Sequence, residues 1–126
     1  MKNKISVTAL KTEVFHQGDD IYAFLKKHLK DENLEGQVLA ITSKIISLSE
    51  NRVVSKNEIS KLDLVKRESD VYIGPGGFGA ELTIKHGILI PSAGIDESNA
   101  ENNQYILYPE KPYESVRKIW DFLRQF

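Results

Sequence analysis

The stretch "AELTIKHGILIPSAGIDESNA", residues 80–100, holds the clearest strand signal in the chain and ends in oxygen-bearing side chains. Apolar residues lie on both sides of His86-Gly87, so residues 80–90 are predicted to form two strands joined by a hairpin turn. The strands lead into a segment that surrounds the flexible Gly94 and contains Ser92, Asp96, Glu97, Ser98 and Asn99. This density of oxygen atoms directly after a strand marks the segment as a candidate site.

Strand and helix patterns alternate outward from this stretch. Downstream, "YILYP" (105–109) predicts a strand. The final segment, "KPYESVRKIWDFLRQF" (111–126), predicts a helix with Pro112 in its first turn. One face of that helix holds Val116, Ile119, Trp120 and Leu123. Upstream, "HQGDDIYAFLKKHLKDENLEG" (16–36) has the apolar spacing of an amphipathic helix that starts at Asp19 and Asp20 and ends near Gly36.

The remaining segments carry shorter signals. Alternation at residues 5, 7 and 9 predicts a half-buried strand, and "QVLAIT" (37–42) predicts another strand. "SKIISLSENRVV" (43–54) is typical of a turn or short helix followed by a short strand, and "KNEISKLDLVKRES" (56–69) of a short helix. A chain of 126 residues is too short for two ordinary domains, so we expect a single compact domain of the mixed α/β class over residues 1–126.

Composition excludes several classes of function. Seventeen basic and eighteen acidic side chains give a net charge of −1, which provides no broad field to attract nucleic acid or a membrane surface. No apolar run approaches the roughly 20 residues that a membrane span needs, and "MKNKISVTAL" lacks the apolar region of a signal peptide. A cytoplasmic location is therefore expected. The chain has no cysteine, which excludes thiolate metal sites and cysteine nucleophiles.

The glycine-rich segment "GPGGFG" (74–79) fits the spacing of a dinucleotide-binding turn. That site needs a following helix, whose N-terminus holds the pyrophosphate, and the next residues here have a strand pattern instead. A glycine-rich loop is the favoured interpretation. Near the same region, Glu68 and Asp70 lie beside basic residues and are expected to form a surface ion-pair patch.

Two segments and one histidine are candidates for ligand binding. Thr42, Ser43 and Lys44 follow a predicted strand and are suited to a phosphate group, although a solvated lysine after a capping serine uses the same residue types. "AGIDESN" (93–99) offers hard oxygen ligands for Mg²⁺ or Mn²⁺, and an Asx turn would use the same residues. His86 is a candidate for ligand contact or for a purely structural role. From these residues alone, the solvated lysine and the Asx turn are the favoured interpretations, and the role of His86 stays open.

Several segments occur in an order found in a known family. They are "GDDI" (18–21), "EGQVLAITSKIISLSENRVV" (35–54), "RES" (67–69), "HGILIPSAGIDESNA" (86–100) and "YPEKP" (108–112). In sequence and order they resemble the N-terminal part of the coenzyme F420-0:L-glutamate ligase family. The fold that this resemblance implies is the N-terminal portion of the γ-glutamyl ligase fold.

The resemblance also implies a function. It implies a GTP-dependent ligase that uses Mg²⁺ or Mn²⁺ and joins L-glutamate by an amide bond to a deazaflavin precursor of coenzyme F420, through an acyl phosphate. Asp96 would be a metal ligand. The nucleotide or substrate would contact Ser43, Lys44, His86, Ser98 and Asn99. The implied partners are a second copy of the chain in a homodimer and a separate polypeptide that supplies the remaining half of the site.

Departures from the family pattern leave further alternatives. The family continues into a β-rich portion with another metal-binding aspartate, and nothing in this sequence corresponds to that portion. "LKTEVFHQ" (10–17) replaces a proline-containing loop, so a folate-type acceptor is an alternative to the deazaflavin. A third alternative is a non-catalytic nucleotide-binding module without the second metal carboxylate.

Overall fold

The computed structural model describes residues 3–97 and 103–125, which form four helices and two antiparallel sheets. The helices are α1 (Ile21–Leu29), α2 (Ser43–Ser49), α3 (Lys61–Glu68) and α4 (Pro112–Leu123). The strands are β1 (Val53–Ser55), β2 (Val71–Pro75), β3 (Glu81–Lys85), β4 (Ile88–Pro91) and β5 (Gln104–Ile106). A 3₁₀ turn over Ser92–Gly94 follows β4. The predicted mixed α/β class is confirmed.

The two sheets meet at the segment that carries the oxygen-rich motif. Strands β2, β3 and β4 form a three-stranded sheet in which Thr83 pairs with Tyr72 on one side and Ile90 on the other. Strands β1 and β5 form a two-stranded ribbon in which Val53 pairs with Ile106. The segment after β4 leaves the first sheet and reaches the second, because Asp96 forms an isolated bridge with Ile106. The candidate site therefore lies where the sheets are connected.

The predicted hairpin is confirmed and has a two-residue turn. His86 and Gly87 have φ angles of +52° and +72°, the left-handed values that a type I′ hairpin turn requires. Strand β2, which overlaps the first two residues of the glycine-rich segment, pairs with β3 and was not predicted. Because a strand and not a helix follows the loop, the dinucleotide interpretation is excluded.

Helix α1 begins where the sequence predicts. The Asp20 carboxylate accepts hydrogen bonds from the backbone N–H groups of Tyr22 (2.8 Å) and Ala23 (3.2 Å), which have no partner inside the helix. Its apolar face belongs to a first core of Phe15, Ile21, Leu25, Leu29, Ile46 and Ile119. A second core of Leu64, Tyr105 and Leu107 joins α3 to the ribbon. The helix ends at Leu29, well before Gly36.

Two strand predictions were wrong. Residues 5–9 and 37–42 form no strand pairs with other described residues, and Ile5, Val7 and Val38 are 90%, 91% and 96% exposed. Alternation indicates which face of an extended segment is apolar, but a strand also needs a neighbour that accepts its backbone hydrogen bonds. The described part of the chain offers no such neighbour to either segment.

Helix α4 is confirmed, with Pro112 as its first residue. Of the apolar face that the sequence predicts for it, Ile119 is buried, while Val116 and Trp120 remain 64% and 55% exposed. The helix therefore packs through a narrower contact than its apolar pattern indicates. Within the described residues, no helix combines the length and the apolar character that crossing a membrane requires.

Candidate functional site

Lys44 lies in the first turn of α2. Thr42 has the extended backbone of an N-cap residue, and its carbonyl accepts from the N–H of Ile45 at 3.1 Å, so the helix begins at Ser43. Ile46 and Ser47 are buried, which fixes the inner face of the helix. Ser43 is exposed and precedes Lys44 on the outer side.

Two backbone hydrogen bonds fix the position of Asp96. Its N–H donates to the Ile106 carbonyl at 2.8 Å, and its carbonyl accepts from the Ile106 N–H at 2.8 Å. This reciprocal pair adds Asp96 to the free edge of β5, beside the β1–β5 ribbon. The backbone of Asp96 is therefore held by strand pairing.

The structure brings Lys44 and Asp96 together, although the two motifs that contain them are far apart in sequence. The Lys44 Nζ lies 2.8 Å from Asp96 Oδ2, and the two side chains are 25% and 37% exposed. An ion pair this open to water contributes about 0 to 1 kcal/mol to stability. Its importance is geometric, because it places one cation and one carboxylate at the same point of the surface.

Glu97 faces a different group of residues. Its carboxylate pairs with Lys61, the first residue of α3, and lies 3.5 Å from the Lys56 ammonium. Adjacent side chains of an extended segment point to opposite faces, so Asp96 reaches α2 while Glu97 reaches α3. Glu97 therefore fastens the segment and is not part of the Lys44–Asp96 pair.

The pH response of Glu97 follows from these contacts. The hydrogen bond from Lys61, assisted by Lys56, holds the pKa of Glu97 below its ordinary value. Because the pKa is lower in the folded state, the pair contributes stability above the unfolded pKa and loses it as pH falls through the folded pKa. Lys61→Met is expected to raise the Glu97 pKa toward its ordinary value.

A carbon-13 NMR titration of the Glu97 carboxyl group measures this shift. Lys44→Met is the matched control, and it should leave the Glu97 midpoint unchanged because Lys44 contacts the other carboxylate. An unchanged midpoint in Lys61→Met would contradict the assigned cause.

His86 lies in the β3–β4 turn. Its backbone N–H donates to Asp70 Oδ2 at 2.7 Å, and its ring centroid is 6.1 Å from that of Tyr108. Its Nε2 atom is buried and has no hydrogen-bond partner among the described residues. The structure links His86 to the oxygen-rich segment through Tyr108, whose ring also packs against Gly94. Its role in ligand contact stays a prediction.

Two of the predicted site residues, Ser98 and Asn99, lie outside the described residues. The site that the structure does describe consists of Ser43, Lys44 and Asp96. A surface groove at the opposite end of α2 contains none of them; its lining includes Asp20, Ser49, Glu50, Ser115 and Lys118. Cavity shape therefore does not select the Lys44–Asp96 pair, which is identified by its chemistry.

Comparison with known proteins bears on what this pair does. A sequence model of the family described as F420-0:Gamma-glutamyl ligase matches residues 9–126. The chain belongs to this family. It is 29% identical over 127 residues to the coenzyme F420:L-glutamate ligase of Methanopyrus kandleri, and the match covers 86% of this chain and 49% of that protein. The corresponding enzyme of Methanothermobacter thermautotrophicus is 28% identical, with 86% and 51% covered.

This F420-0:Gamma-glutamyl ligase family member spans about half the length of the curated relatives it matches. The match includes the segments that carry Lys44 and Asp96. It also includes residues 37–42, which have no strand partners in the described part of the chain.

Arg52 and Tyr108, which the sequence did not single out, support the site of this family member. The Arg52 Nη2 lies 2.7 Å from Glu68 Oε1, and its Nε donates to the Tyr108 carbonyl at 3.2 Å. The Lys85 ammonium donates to the Glu68 carbonyl at 2.7 Å. The prediction of a surface ion-pair patch is therefore corrected. Glu68 does form an ion pair, but with Arg52 and with a side chain that is only 14% exposed, and Asp70 accepts the His86 N–H and fastens the hairpin turn.

The described part of this family member does not supply a full set of protein ligands for a divalent cation. No group of three histidine, cysteine, aspartate or glutamate side chains comes together there. Mg²⁺ at nucleotide sites is often held by one or two carboxylates together with phosphate oxygens and water. Asp96 is a carboxylate of this kind, and in the structure it pairs with Lys44.

Proposed function

We propose that this chain carries the nucleotide-facing part of a γ-glutamyl ligase that joins L-glutamate to a precursor of coenzyme F420 with GTP as co-substrate. The observation that carries the proposal is the 2.8 Å contact between Lys44 and Asp96. Family membership supports the reaction class. The contact supports the assignment of these two residues, because it joins two of the segments that carry the resemblance.

Lys44 would neutralise phosphate charge. The Lys44 side chain is 25% exposed, so its ammonium group would turn from Asp96 to a bound phosphate without crossing the core. Phosphoryl transfer places few demands on protein nucleophiles, because positioning and charge neutralisation lower its barrier. The described residues fit that requirement, with a lysine and a carboxylate on rigid elements.

Asp96 would hold one position of Mg²⁺ or Mn²⁺. When bound, the cation would supply positive charge to the phosphate oxygens. In the chain without ligand, the Asp96 carboxylate pairs with Lys44. A cation at Asp96 would compete with the Lys44 ammonium group for the carboxylate oxygens, and a displaced lysine would be available to the same phosphate group.

The reaction would proceed in two balanced steps. In the first, a carboxylate oxygen of the acceptor bonds to the γ-phosphorus of GTP, the bond from that phosphorus to the bridging oxygen breaks, and GDP leaves. In the second, the amine of glutamate attacks the acyl carbon, the bond from that carbon to the phosphate oxygen breaks, and phosphate leaves with release of a proton. Lys44 would face the phosphoryl group that is transferred.

A homodimer is part of the proposal, and exposed apolar surface supports it. The outer face of the three-stranded sheet exposes Val71 (49%), Ile73 (53%) and Leu89 (66%). Two copies related by a twofold axis could bury such a face against each other. A separate polypeptide that supplies further ligands is the second proposed partner. Sedimentation equilibrium of the purified chain measures self-association directly.

Asp96→Asn is expected to lower the affinity for GTP in the presence of Mn²⁺ at least tenfold, which is about 1.4 kcal/mol. The substitution keeps the size of the side chain but removes the negative charge that attracts the cation. Calorimetric titration of GTP with and without Mn²⁺ measures the effect. Glu97→Gln is the matched control, and it should change the affinity less than about twofold because Glu97 faces α3. Equal losses in both variants would contradict the assignment.

A non-catalytic nucleotide-binding module is the second candidate function. It is favoured by the lack of a three-ligand metal cluster among the described residues. Such a module would bind GTP but would not incorporate glutamate. Steady release of phosphate from GTP by this chain, with glutamate and a deazaflavin acceptor present, would exclude the non-catalytic module.

A further inference from the structure

The turn that precedes Asp96 has a backbone conformation that L-amino acids rarely adopt. Ser92, Ala93 and Gly94 have consecutive φ angles of +49°, +52° and +72°. Glycine adopts these angles freely, but the Cβ atoms of the first two residues crowd the neighbouring backbone in the left-handed region. Such a conformation persists only where surrounding contacts determine it, and it is concentrated at functional sites.

One buried hydroxyl group makes the central contacts with the turn. The Thr83 side chain is fully buried in β3, and its Oγ1 donates to the Ile90 carbonyl and accepts from the Ala93 N–H at 2.8 Å. Thr83 thereby ties the end of β4 to the middle of the turn. A second contact comes from Ser92, whose Oγ accepts from the Glu81 N–H at 3.2 Å.

The opposite side of the turn is also closed. A Cβ atom at Gly94 would lie 2.7 Å from Tyr108 Cδ2 and 3.0 Å from Ile90 Cδ1, so the glycine backbone packs directly on the tyrosine ring. The Ile95 N–H then donates to the Ser92 carbonyl at 3.0 Å. The next residue is Asp96, which bridges to β5. The turn therefore fixes the point at which the chain passes from one sheet to the other.

We propose that Thr83 is a positioning residue: its hydroxyl group holds the left-handed turn, and the turn places the Asp96 carboxylate opposite the Lys44 ammonium. The importance of this placement for nucleotide binding rests on the proposed function. The placement itself is a property of the chain without ligand. It can therefore be measured whether or not GTP binds.

The test is an NMR measurement of the two ion pairs in the full chain. The carbon-13 shift of the Asp96 carboxyl group is recorded with and without Lys44→Met, and that of the Glu97 carboxyl group with and without Lys61→Met. The change in shift that each lysine substitution causes is the Asp96 response or the Glu97 response. Thr83→Val has nearly the same shape as threonine but lacks the hydroxyl group. It is expected to remove at least half of the Asp96 response and to leave the Glu97 response intact. Thr83→Ser keeps the hydroxyl group and should preserve both responses.

Two results would overturn the proposal. One is a folded Thr83→Val variant whose Asp96 response is undiminished. The other is an equal loss of both responses, because that indicates general loosening of the fold. Should Thr83→Val not fold, Ser92→Ala decides: removal of its bond to Glu81 is expected to weaken the Asp96 response, and an unchanged response would overturn the proposal. Absence of GTP binding to the unmodified chain counts against the proposed function alone.

Discussion

Leu64→Ala is expected to lower the free energy of unfolding by about 3 to 5 kcal/mol. Leu64 has no exposed surface and lies in the core formed with Tyr105 and Leu107, between α3 and the β1–β5 ribbon. Removing its three terminal carbon atoms loses apolar burial and leaves a cavity. Few neighbouring side chains can move to fill that cavity, because the core is small.

Urea unfolding of the unmodified chain and of the Leu64→Ala variant measures this difference. Leu62→Ala in the same helix is the matched control. It removes the same atoms as Leu64→Ala, but Leu62 is 41% exposed and lies outside the core. We expect it to cost less than about 1 kcal/mol. Similar losses in the two variants would show that α3 does not pack as described.

Gly94→Ala is expected to destabilise the chain by about 2 to 5 kcal/mol, from two separate causes. The φ angle of +72° is unfavourable for alanine, and the new Cβ atom would meet the Tyr108 ring at 2.7 Å. Relief of that contact requires movement of Tyr108 or of the turn before Asp96. The variant should therefore also weaken the Lys44–Asp96 pair.

Gly87→Ala separates the two causes. Gly87 has the same φ angle of +72°, but no described atom lies within 4 Å of the position its Cβ would take. Its expected cost is about 1 to 2 kcal/mol, from backbone conformation alone. Thermal or urea unfolding of both variants gives the comparison. A cost for Gly94→Ala no larger than that for Gly87→Ala would contradict the close packing on Tyr108.

Local signals made part of the fold predictable. Asp20 and the apolar spacing after it predict α1, because a capping carboxylate and a helical period are properties of neighbouring residues. The β3–β4 hairpin is predictable for the same reason, with His86-Gly87 at the turn. These elements would be recognised in any protein that contained them.

Other features depend on parts of the chain that are distant in sequence. Residues 5–9 and 37–42 have strand patterns but lack described partners, whereas β2 contains Gly74 and Pro75 and still forms a strand because β3 pairs with it. The left-handed turn has no sequence signal at Ala93, since alanine does not favour positive φ. Its conformation is decided by Thr83, which lies in another strand.

From residue patterns alone the candidate site was predictable only as two separate halves, and it was the family resemblance that implied one site for both. Sequence spacing gave no reason to place Lys44 beside Asp96, and their contact depends on the bridge between Asp96 and Ile106. Glu97 has the same chemistry as Asp96 and stands next to it, yet it pairs with α3. Only the alternation of side chains along an extended segment separates the two carboxylates.

The most direct test of the central claim is the paramagnetic effect of Mn²⁺ on the NMR signals of the chain in the presence of GTP. Mn²⁺ broadens nearby signals most strongly. The account predicts that the signals of Lys44 and Asp96 are broadened first, that those of Lys61 and α1 are affected much less, and that Asp96→Asn removes the effect. Broadening centred elsewhere, or no broadening that depends on GTP, would contradict the assignment of this pair to a metal–nucleotide site.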